Sequence, residues 1–350
     1  MASTDPTDDE RSGSSADDQR SSPSAEEERS SPSSGPDRTV SAGDAAGTNA
    51  RVAVVGSYNA GFVVEMPRFP VPGETVTGSN FEEVVGGKGS NQAVGVSRLN
   101  AHARFVGCVG DDRHADVAFD LWEREGVDAG AVQRVDAGTG VGVVFVDEDG
   151  ENEIAVVPGA NHTFGRDHVA AAADAIGECD VLLVQLEIDD PAVAAAVEVA
   201  DERGLDVVLN PAPARELPPE VLDRVDYLTP NRTEARILAG LDPGADADDA
   251  EVAARLRDLG ADTVVTTLGA DGALVDDGDG RERAPAPDVD PMDTTGAGDA
   301  FNAAFAVALA EGQDAVAATE FGCAAGALSV TEFDVVPSLP ARERVEELLG

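Results

Sequence analysis

Lysine is almost absent from this sequence of 350 residues. Lys88 is the only one, and the other basic side chains are all arginine. Positive charge is scarce altogether: 24 Lys+Arg stand against 68 Asp+Glu, a formal net charge of −44. That balance excludes nucleic acid or an anionic membrane surface as a default partner. It also implies self-repulsion in dilute buffer, which molar salt screens because the Debye length there is about 3 Å. An acid-rich surface without lysine points to a halophile's cytosol, where hydrated carboxylates keep the protein soluble. A merely acidic mesophilic protein is the other reading, and it leaves the loss of lysine unexplained.

Cysteine is nearly as rare. Cys108, Cys179 and Cys323 lie far apart with no CxxC, which excludes a disulfide framework or a zinc knuckle and fits free thiols in a reducing compartment. His102, His114, His162 and His168 have no metal-ligand spacing and read as surface or structural residues. Trp122 and Phe119 share a helical face and read as core. No apolar run approaches the ~18 residues of a membrane helix, and the N-terminus lacks the apolar region of a secretory signal. The expectation is a cytoplasmic protein.

Residues 1 to about 50 are Ser, Asp, Glu, Pro and Gly with almost nothing to bury. Such a segment cannot offset its ordering entropy and is expected to be a disordered tail, with an interaction tail as the alternative. From Arg51 the text changes. RVAVVG, ARFVGCVG, DVLLVQLE, DVVLNP, DYLTPN and DTVVTTLG read as short apolar strands, and HADVAFDLWEREG, DPAVAAAVEVADERG, TEARILAG and DDAEVAARLRDLG as helices. The alternation predicts a mostly parallel sheet covered by helices on both faces, an α/β domain over 51–350. Ligands in such folds gather at the carboxyl ends of the strands.

Two stretches break the pattern. Phe62 to Val85 mixes β-favouring residues with prolines, and GVGVVFVDEDGENEIAVV reads as a hairpin turning at Asp149-Gly150. They predict a small separate sheet, built from segments about 59–85 and 139–158, lying over the strand ends as a lid. A structural extension of the sheet edge is the alternative.

DTTGAGDAFNAAFAVALAEG, Asp293 to Gly312, carries the most chemistry. GAG precedes an amphipathic run, and small residues at a helix start expose amides where the macrodipole favours negative charge. That is an anion hole suited to a phosphoryl group. Asp299 beside it is either a base that takes a proton from a hydroxyl nucleophile or an ordinary first-turn acid. GGKGSN, Gly86 to Asn91, lacks the Walker A spacing, and VGSYNAG lacks GxGxxG, which argues against a P-loop ATPase and a nicotinamide enzyme. Glycines around Lys88 permit close backbone approach to a ligand, while Lys88 and Asn91 offer donors.

SYN, RFPVPGETVTG, GGKGSNQA, QLE, LNPAPARELP, TPNRTEA, TLGADG and DTTGAGDAFN occur in this order between about Val52 and Pro340. The sequence thereby resembles the PfkB carbohydrate kinase family, ribokinase branch. The resemblance implies a Rossmann-like three-layer α/β sandwich with a small β-sheet lid. It implies that Asp299 is the catalytic base and that Gly296, Ala297 and Gly298 supply the anion hole. Asn59, Gly87, Lys88, Gly89, Asn91 and Glu187 would hold sugar hydroxyls. Asn231 and Glu234 would order Mg²⁺ and phosphate, and Thr267, Gly269 and Gly272 would cradle ATP. Asp293 and Thr295 match part of a K⁺ loop, to which Ser329, Glu332, Asp334 and Ser338 would contribute.

Three positions depart from the family pattern. Gly61 stands where an Asp usually binds ring hydroxyls, which leaves open ribose 1-phosphate or a nucleoside as substrate. Glu332 and Asp334 replace a basic residue and a glycine. Cys323, near the adenine site in the resemblance, is often histidine; a packed core thiol is the alternative. The implied activity is ATP-dependent phosphorylation of the 5-hydroxyl of a pentose, most simply D-ribose, by a homodimer joined through the lids. A non-catalytic sugar sensor is the rival from a different class.

Overall fold

A computed structural model describes residues 49–350, and all but the end of the expected tail lies outside the described residues. The main sheet has eight strands in the order Arg281–Ala284, Ala273–Asp276, Thr263–Thr267, Tyr227–Leu228, Asp206–Asn210, Val181–Gln185, Arg51–Val55 and His102–Val106. From His102–Val106 to Thr263–Thr267 every pairing is parallel, and the last two strands add antiparallel. The strands are continuous apolar runs because both faces are covered. Val52 and Val54 enter one core with the helices Lys88–Arg98, Ala297–Ala310 and Ala315–Ser329, while Ala53 and Val55 enter a second core with Asp190–Arg203 and Asp249–Arg257. The mostly parallel α/β expectation holds.

Strand order reverses on either side of Arg51–Val55: the chain first adds His102–Val106 on one side and then Val181–Gln185 on the other. Loops leaving neighbouring strands there diverge to opposite faces and open a crevice at their carboxyl ends. The segment 56–59 and Glu187 leave these two strands at that crevice.

The segments that break the alternation form a separate four-stranded sheet, in the order Asn80–Gly86, Asn59–Glu65, Gly140–Val146, Asn152–Val157. It is not an extension of the main sheet. Pro67, Pro70 and Pro72, which cannot donate to a ladder, all lie in the connection between its first two strands in the chain. The hairpin differs from expectation. Its loop is Asp147–Glu151, closed by the Asp147 amide on the Glu151 carbonyl at 3.1 Å. The Asp147 carboxylate accepts from the amides of Asp149 and Glu151 at 3.0 and 2.9 Å, an arrangement that a two-residue turn has no room for.

ARFVGCVG is also split. His102–Val106 stays in the main sheet, whereas Cys108–Gly110 pairs with Gln133–Val135. A Cβ on Gly107 would lie 2.6 Å from the Gly56 carbonyl, so two backbones touch where the chain leaves the sheet.

Trp122 on the helix Arg113–Glu125 is fully buried against Tyr58, Phe105 and Phe119, and its indole nitrogen donates to Ser90 Oγ at 2.9 Å. That contact ties the core to the start of Lys88–Arg98. Trp122→Ala is expected to cost about 3–5 kcal/mol of stability, read by denaturant unfolding followed by circular dichroism; a loss under about 1 kcal/mol would show the ring is not a core anchor.

Candidate active site

Asp299 lies in the first turn of Ala297–Ala310, buried to 5 % exposure. Its Oδ2 accepts from the Asn91 side-chain amide and its Oδ1 from the Gln92 side-chain amide, each at 2.9 Å. Burial pushes its carboxyl above the ordinary aspartate range; the Lys88 ammonium and the two amide donors pull against that, and Glu187 reinforces it. A carboxylate raised in this way is a better proton acceptor than a solvated one.

Lys88 opens the helix Lys88–Arg98, whose N-cap Gly87 has φ 92°. A Cβ on Gly87 would sit 2.7 Å from Tyr58 Cα, and one on Gly89 2.6 Å from the Ser57 nitrogen. Only glycine lets these two loops lie backbone to backbone. The Lys88 amide donates to Glu187 Oε2 at 3.0 Å, and Ser57 Oγ donates to the same oxygen at 2.5 Å. Burial works against the ammonium charge, but the fields of Asp299, Glu187 and Glu234 outweigh it and raise its pKa. The single lysine is a retained cation among three carboxylates.

The helix start beside Asp299 is bare. Gly296 has φ 84°, and a Cβ there would lie 2.6 Å from Val335 Cγ1. No side chain caps this end. Ala297 makes one long bond of 3.4 Å to Thr294, and among the described residues the amides of Gly298 and Asp299 have no partner. Orphan amides at a positive helix end form an anion site. Such amides can receive the charge of a transferring phosphoryl group.

Asn231 caps the helix Arg232–Leu238 in a reciprocal capping box: its Oδ1 accepts from the Glu234 amide and its own amide donates to Glu234 Oε2, both at 2.8 Å. Burial raises the Glu234 carboxyl, with the Asn231 amide and Lys88 opposing and Asp299 adding to the rise. Asn231 bridges to Thr267 at the next strand end. Gly269 and Gly272 follow with φ 63° and 83°, and a Cβ on Gly272 would collide with the Ala284 carbonyl at 2.0 Å. Cys323 is buried in the core and burial pushes its thiol up to about 12. Its surroundings are those of a packed core thiol.

The loop ahead of the helix gathers part of the expected cation set. Asp293 accepts from the Thr295 amide at 2.9 Å and from the Asp334 amide at 3.3 Å. Asp334 adopts φ 65°, a backbone conformation that favours glycine. Burial raises its carboxyl and Asp293 and Glu82 add to the rise, against the bond it accepts from Val335. Ser338 Oγ donates to the Val335 carbonyl at 2.8 Å. One residue of the expected set turns its side chain elsewhere: Glu332 pairs with Arg344 at 2.6 Å. Ser329 Oγ donates to the Gly326 carbonyl at 2.9 Å, as Ser338 does to Val335, and each hydroxyl keeps its lone pairs.

Above the crevice, Asn59 Oδ1 accepts from Asn161 Nδ2 at 2.9 Å. Asn161 also exchanges bonds with both backbone groups of Tyr58. Gly61 lies two residues on, in register with Val84 on one side and Gly142 on the other. A Cβ on Gly61 would be 2.5 Å from Val84 Cγ2, so a valine methyl occupies the space where a side chain would begin. A cavity of about 570 Å³ adjoins Asn59 and Glu187 and extends along Val156, Ile188 and Pro213.

Sequence reasoning missed Gln92 and Asn161. Gln92 had a signal, since it directly follows Asn91 as a further polar residue at a helix start. Asn161 lies in a short 3-10 turn outside every quoted motif.

Residues 49–342 match the family model of pfkB family carbohydrate kinases. The chain is 38 % identical over 299 residues to ribokinase from Haemophilus influenzae, covering 85 % of this chain and 98 % of that protein. Ribokinase from Thermotoga maritima superimposes with a TM-score of 0.79 at 36 % identity, over 86 % of this chain and 99 % of the other. Arabidopsis thaliana ribokinase, solved with ribose and ATP, gives 0.79 at 32 % identity with the same coverage. With matches of that extent laid over a buried acid, a bare helix end and a lone lysine, the chain belongs to the pfkB family of carbohydrate kinases, in its ribokinase branch, and is an ATP-dependent sugar kinase.

Proposed function

We propose that the chain phosphorylates the 5-hydroxyl of D-ribose. The observation that carries this reading is the meeting of Asp299, held by two amides, with the unpartnered amides of Gly298 and Asp299 at one helix end. Asp299 takes the proton of the sugar hydroxyl as its oxygen attacks the γ-phosphorus of ATP. The bond from that phosphorus to the β–γ bridging oxygen breaks, ADP leaves, and the amides receive the charge of the moving group. Asn59, Gly87, Gly89, Asn91 and Glu187 orient the sugar, and Lys88 serves the hydroxyls or phosphate. Thr267, Gly269 and Gly272 carry the nucleotide.

Mg²⁺ suits the residues present. Among the described residues no cluster of three or more His, Cys, Asp or Glu could hold a metal, and Mg²⁺ typically rides on phosphates with its own waters and one or two carboxylates. Asn231 and Glu234 would order those waters, and the ion would neutralise phosphate charge. K⁺ suits the loop of Asp293, Thr295, Asp334 and Ser338, where two carboxylates otherwise repel each other. A potassium-rich halophilic cytoplasm fits both that loop and the acidic composition. Among the described residues no helix is long and apolar enough to cross a membrane.

Gly61 supports a second reading. Losing a carboxylate that binds two hydroxyls forfeits about 1.5–3 kcal/mol per charge-assisted hydrogen bond, and the adjoining cavity has room beyond a free pentose. Ribose 1-phosphate or a nucleoside would use that room. A coupled ATP assay in molar KCl across ribose, ribose 1-phosphate, adenosine and fructose separates these substrates. Turnover confined to the phosphorylated sugar or the nucleoside would overturn the ribose assignment. Asp299→Asn is expected to lower kcat by about 10²–10⁴ while calorimetry still detects sugar binding. Unchanged turnover would reject Asp299 as the base.

Lys88 opposes the upward shift of Asp299. Lys88→Met is therefore expected to move the acid limb of kcat/KM to higher pH, since the protonated, inactive form of Asp299 then persists further; a limb that stays in place or falls would contradict this electrostatic role.

The small sheet is proposed as a lid and as a dimer interface. Ile154 and Val156 are 62 % and 56 % exposed on the face that carries Gly61 and Gly142. An apolar edge strand of this kind pairs readily with a second copy. Light scattering in high salt is expected to give a dimer and Ile154→Asp a monomer; a monomeric parent protein would refute the interface.

A further inference from the structure

We propose that Gln92 is the positioning residue of the proton acceptor: it claims Asp299 Oδ1, fixes the carboxylate, and leaves Oδ2 to take the hydroxyl proton. The inference rests on the kinase reading above and names both a residue outside its assigned set and the oxygen that reacts.

Gln92 is fully buried. Its side-chain amide donates to Asp299 Oδ1 at 2.9 Å and to Asn210 Oδ1 at 3.2 Å, and its carbonyl accepts from the Gln185 side-chain amide. Both hydrogens are used, and the carbonyl is engaged from the opposite side. Turning the amide over would set its oxygen against two acceptors, the Asp299 carboxylate and Asn210 Oδ1. The network therefore has one orientation, and in it Asp299 meets a donor.

The Asn210 anchor is fixed in turn, while Gln185 Oε1 is buried without a partner. Asn210, at the end of its strand, donates to the Thr229 carbonyl at 3.3 Å. Thr229 Oγ1 donates to Asn302 Oδ1 at 2.5 Å, and Asn302 Nδ2 donates to the Gly298 carbonyl at 2.7 Å, returning to the helix that bears Asp299. Gln185 fits only because residue 56 is glycine, where a Cβ would lie 2.0 Å from Gln185 Oε1. Buried side chains across the strand ends thus hold one carboxylate oxygen from below.

Asn91 is different. It bonds Oδ2, but its own Oδ1 is buried with no partner. An arriving sugar hydroxyl can satisfy that atom and share or displace the Asn91 contact, whereas the donors of Gln92 are already committed. The charged groups facing Asp299 are Lys88 at the start of the same helix as Gln92, Glu187 beyond the strand Val181–Gln185, and Glu234 on Arg232–Leu238. Of these only Lys88 favours the ionised carboxylate, so the two amide donors matter to its charge.

The test uses Gln92→Met, which keeps the length but removes the donors, and Gln92→Leu. Both are expected to raise the acid limb of kcat/KM by about one pH unit or more, with KM for sugar and ATP changed less than about threefold and activity recovering above the limb. A structural role alone would lower kcat by one factor at every pH, and that result overturns the proposal.

A second readout needs no turnover: thermal unfolding against pH for the parent, Gln92→Leu, Asp299→Asn and the double variant. Below the unfolded pKa of about 4, Asp299 is neutral in both states. With its folded pKa raised, stability is lost as pH rises through that value. Gln92→Leu extends the loss to higher pH, and adding Asp299→Asn abolishes the extension. Loss of the Asn210 and Gln185 bonds adds a deficit that is flat with pH, so the pH-dependent part decides: its absence in Gln92→Leu, or its survival in the presence of Asp299→Asn, also overturns the proposal. Should Gln92→Leu fail to fold, Gln185→Met, which removes only the donor to the Gln92 carbonyl, is expected to move both readouts the same way by less, and no movement is the overturning result. If the substrate panel finds no kinase activity, the kinase reading fails by that assay while the unfolding cycle still decides the role of Gln92.

Discussion

A carboxylate buried to the depth of Asp299 must be compensated or it will hold a proton. Here the compensation is one cation and two amides, and much of the site can be understood as what it takes to bring them together. The Lys88 ammonium acts on Asp299 through its field, and Gly87 and Gly89 let the start of its helix lie against the loop of Ser57 and Tyr58. This accounts for a lysine in a chain that otherwise uses arginine. A guanidinium would grip the carboxylate bidentately and occupy both oxygens, whereas an ammonium supplies charge as a compact point and leaves an oxygen for chemistry.

The strand order places these parts. Parallel strands end together, and the reversal beside Arg51–Val55 opens the crevice into which the loops carrying Ser57 and Glu187 emerge. The helix Ala297–Ala310 then runs through one core with its bare end at that crevice. Nearly all of its residues are buried, which is why its sequence is apolar on every side and why its first-turn acid, unlike the many surface acids, is desolvated.

The legible part of the sequence was the part with strong local periodicity or with glycine at a close approach. Apolar runs gave the main strands, prolines between β-favouring residues gave the small sheet, and GGKGSN and GAGD pointed to the crevice where Lys88, buried Asp299 and the bare helix end meet. What escaped was set by contacts distant in sequence. The break at Gly107 depends on the Gly56 carbonyl, and the five-residue hairpin loop on how Asp147 gathers two amides. Glu332 was grouped with the cation loop by position, but Arg344 on the last helix holds its side chain. Gln92 looks like any polar helix residue until Gln185 and Asn210 arrive from two different strands.

Asp334 shows how the same electrostatic logic reaches beyond Asp299. A positive φ with ψ 153° costs a non-glycine residue about 1–3 kcal/mol, and this one also sets a carboxylate near those of Asp293 and Glu82. Glycine would avoid both penalties. A carboxylate there becomes tolerable if a cation is commonly present to share, which is the condition the proposed K⁺ loop and a salt-rich medium both supply. In such a medium surface charges are screened within a few ångströms, but a half-buried pair is screened far less. In the proposed salt-rich cytoplasm, the −44 charge of the whole chain is a matter of solvent, while the carboxylates of Asp334 and Asp299 are set by their neighbours and burial. The two populations of acids obey different rules, and only the second bears on catalysis.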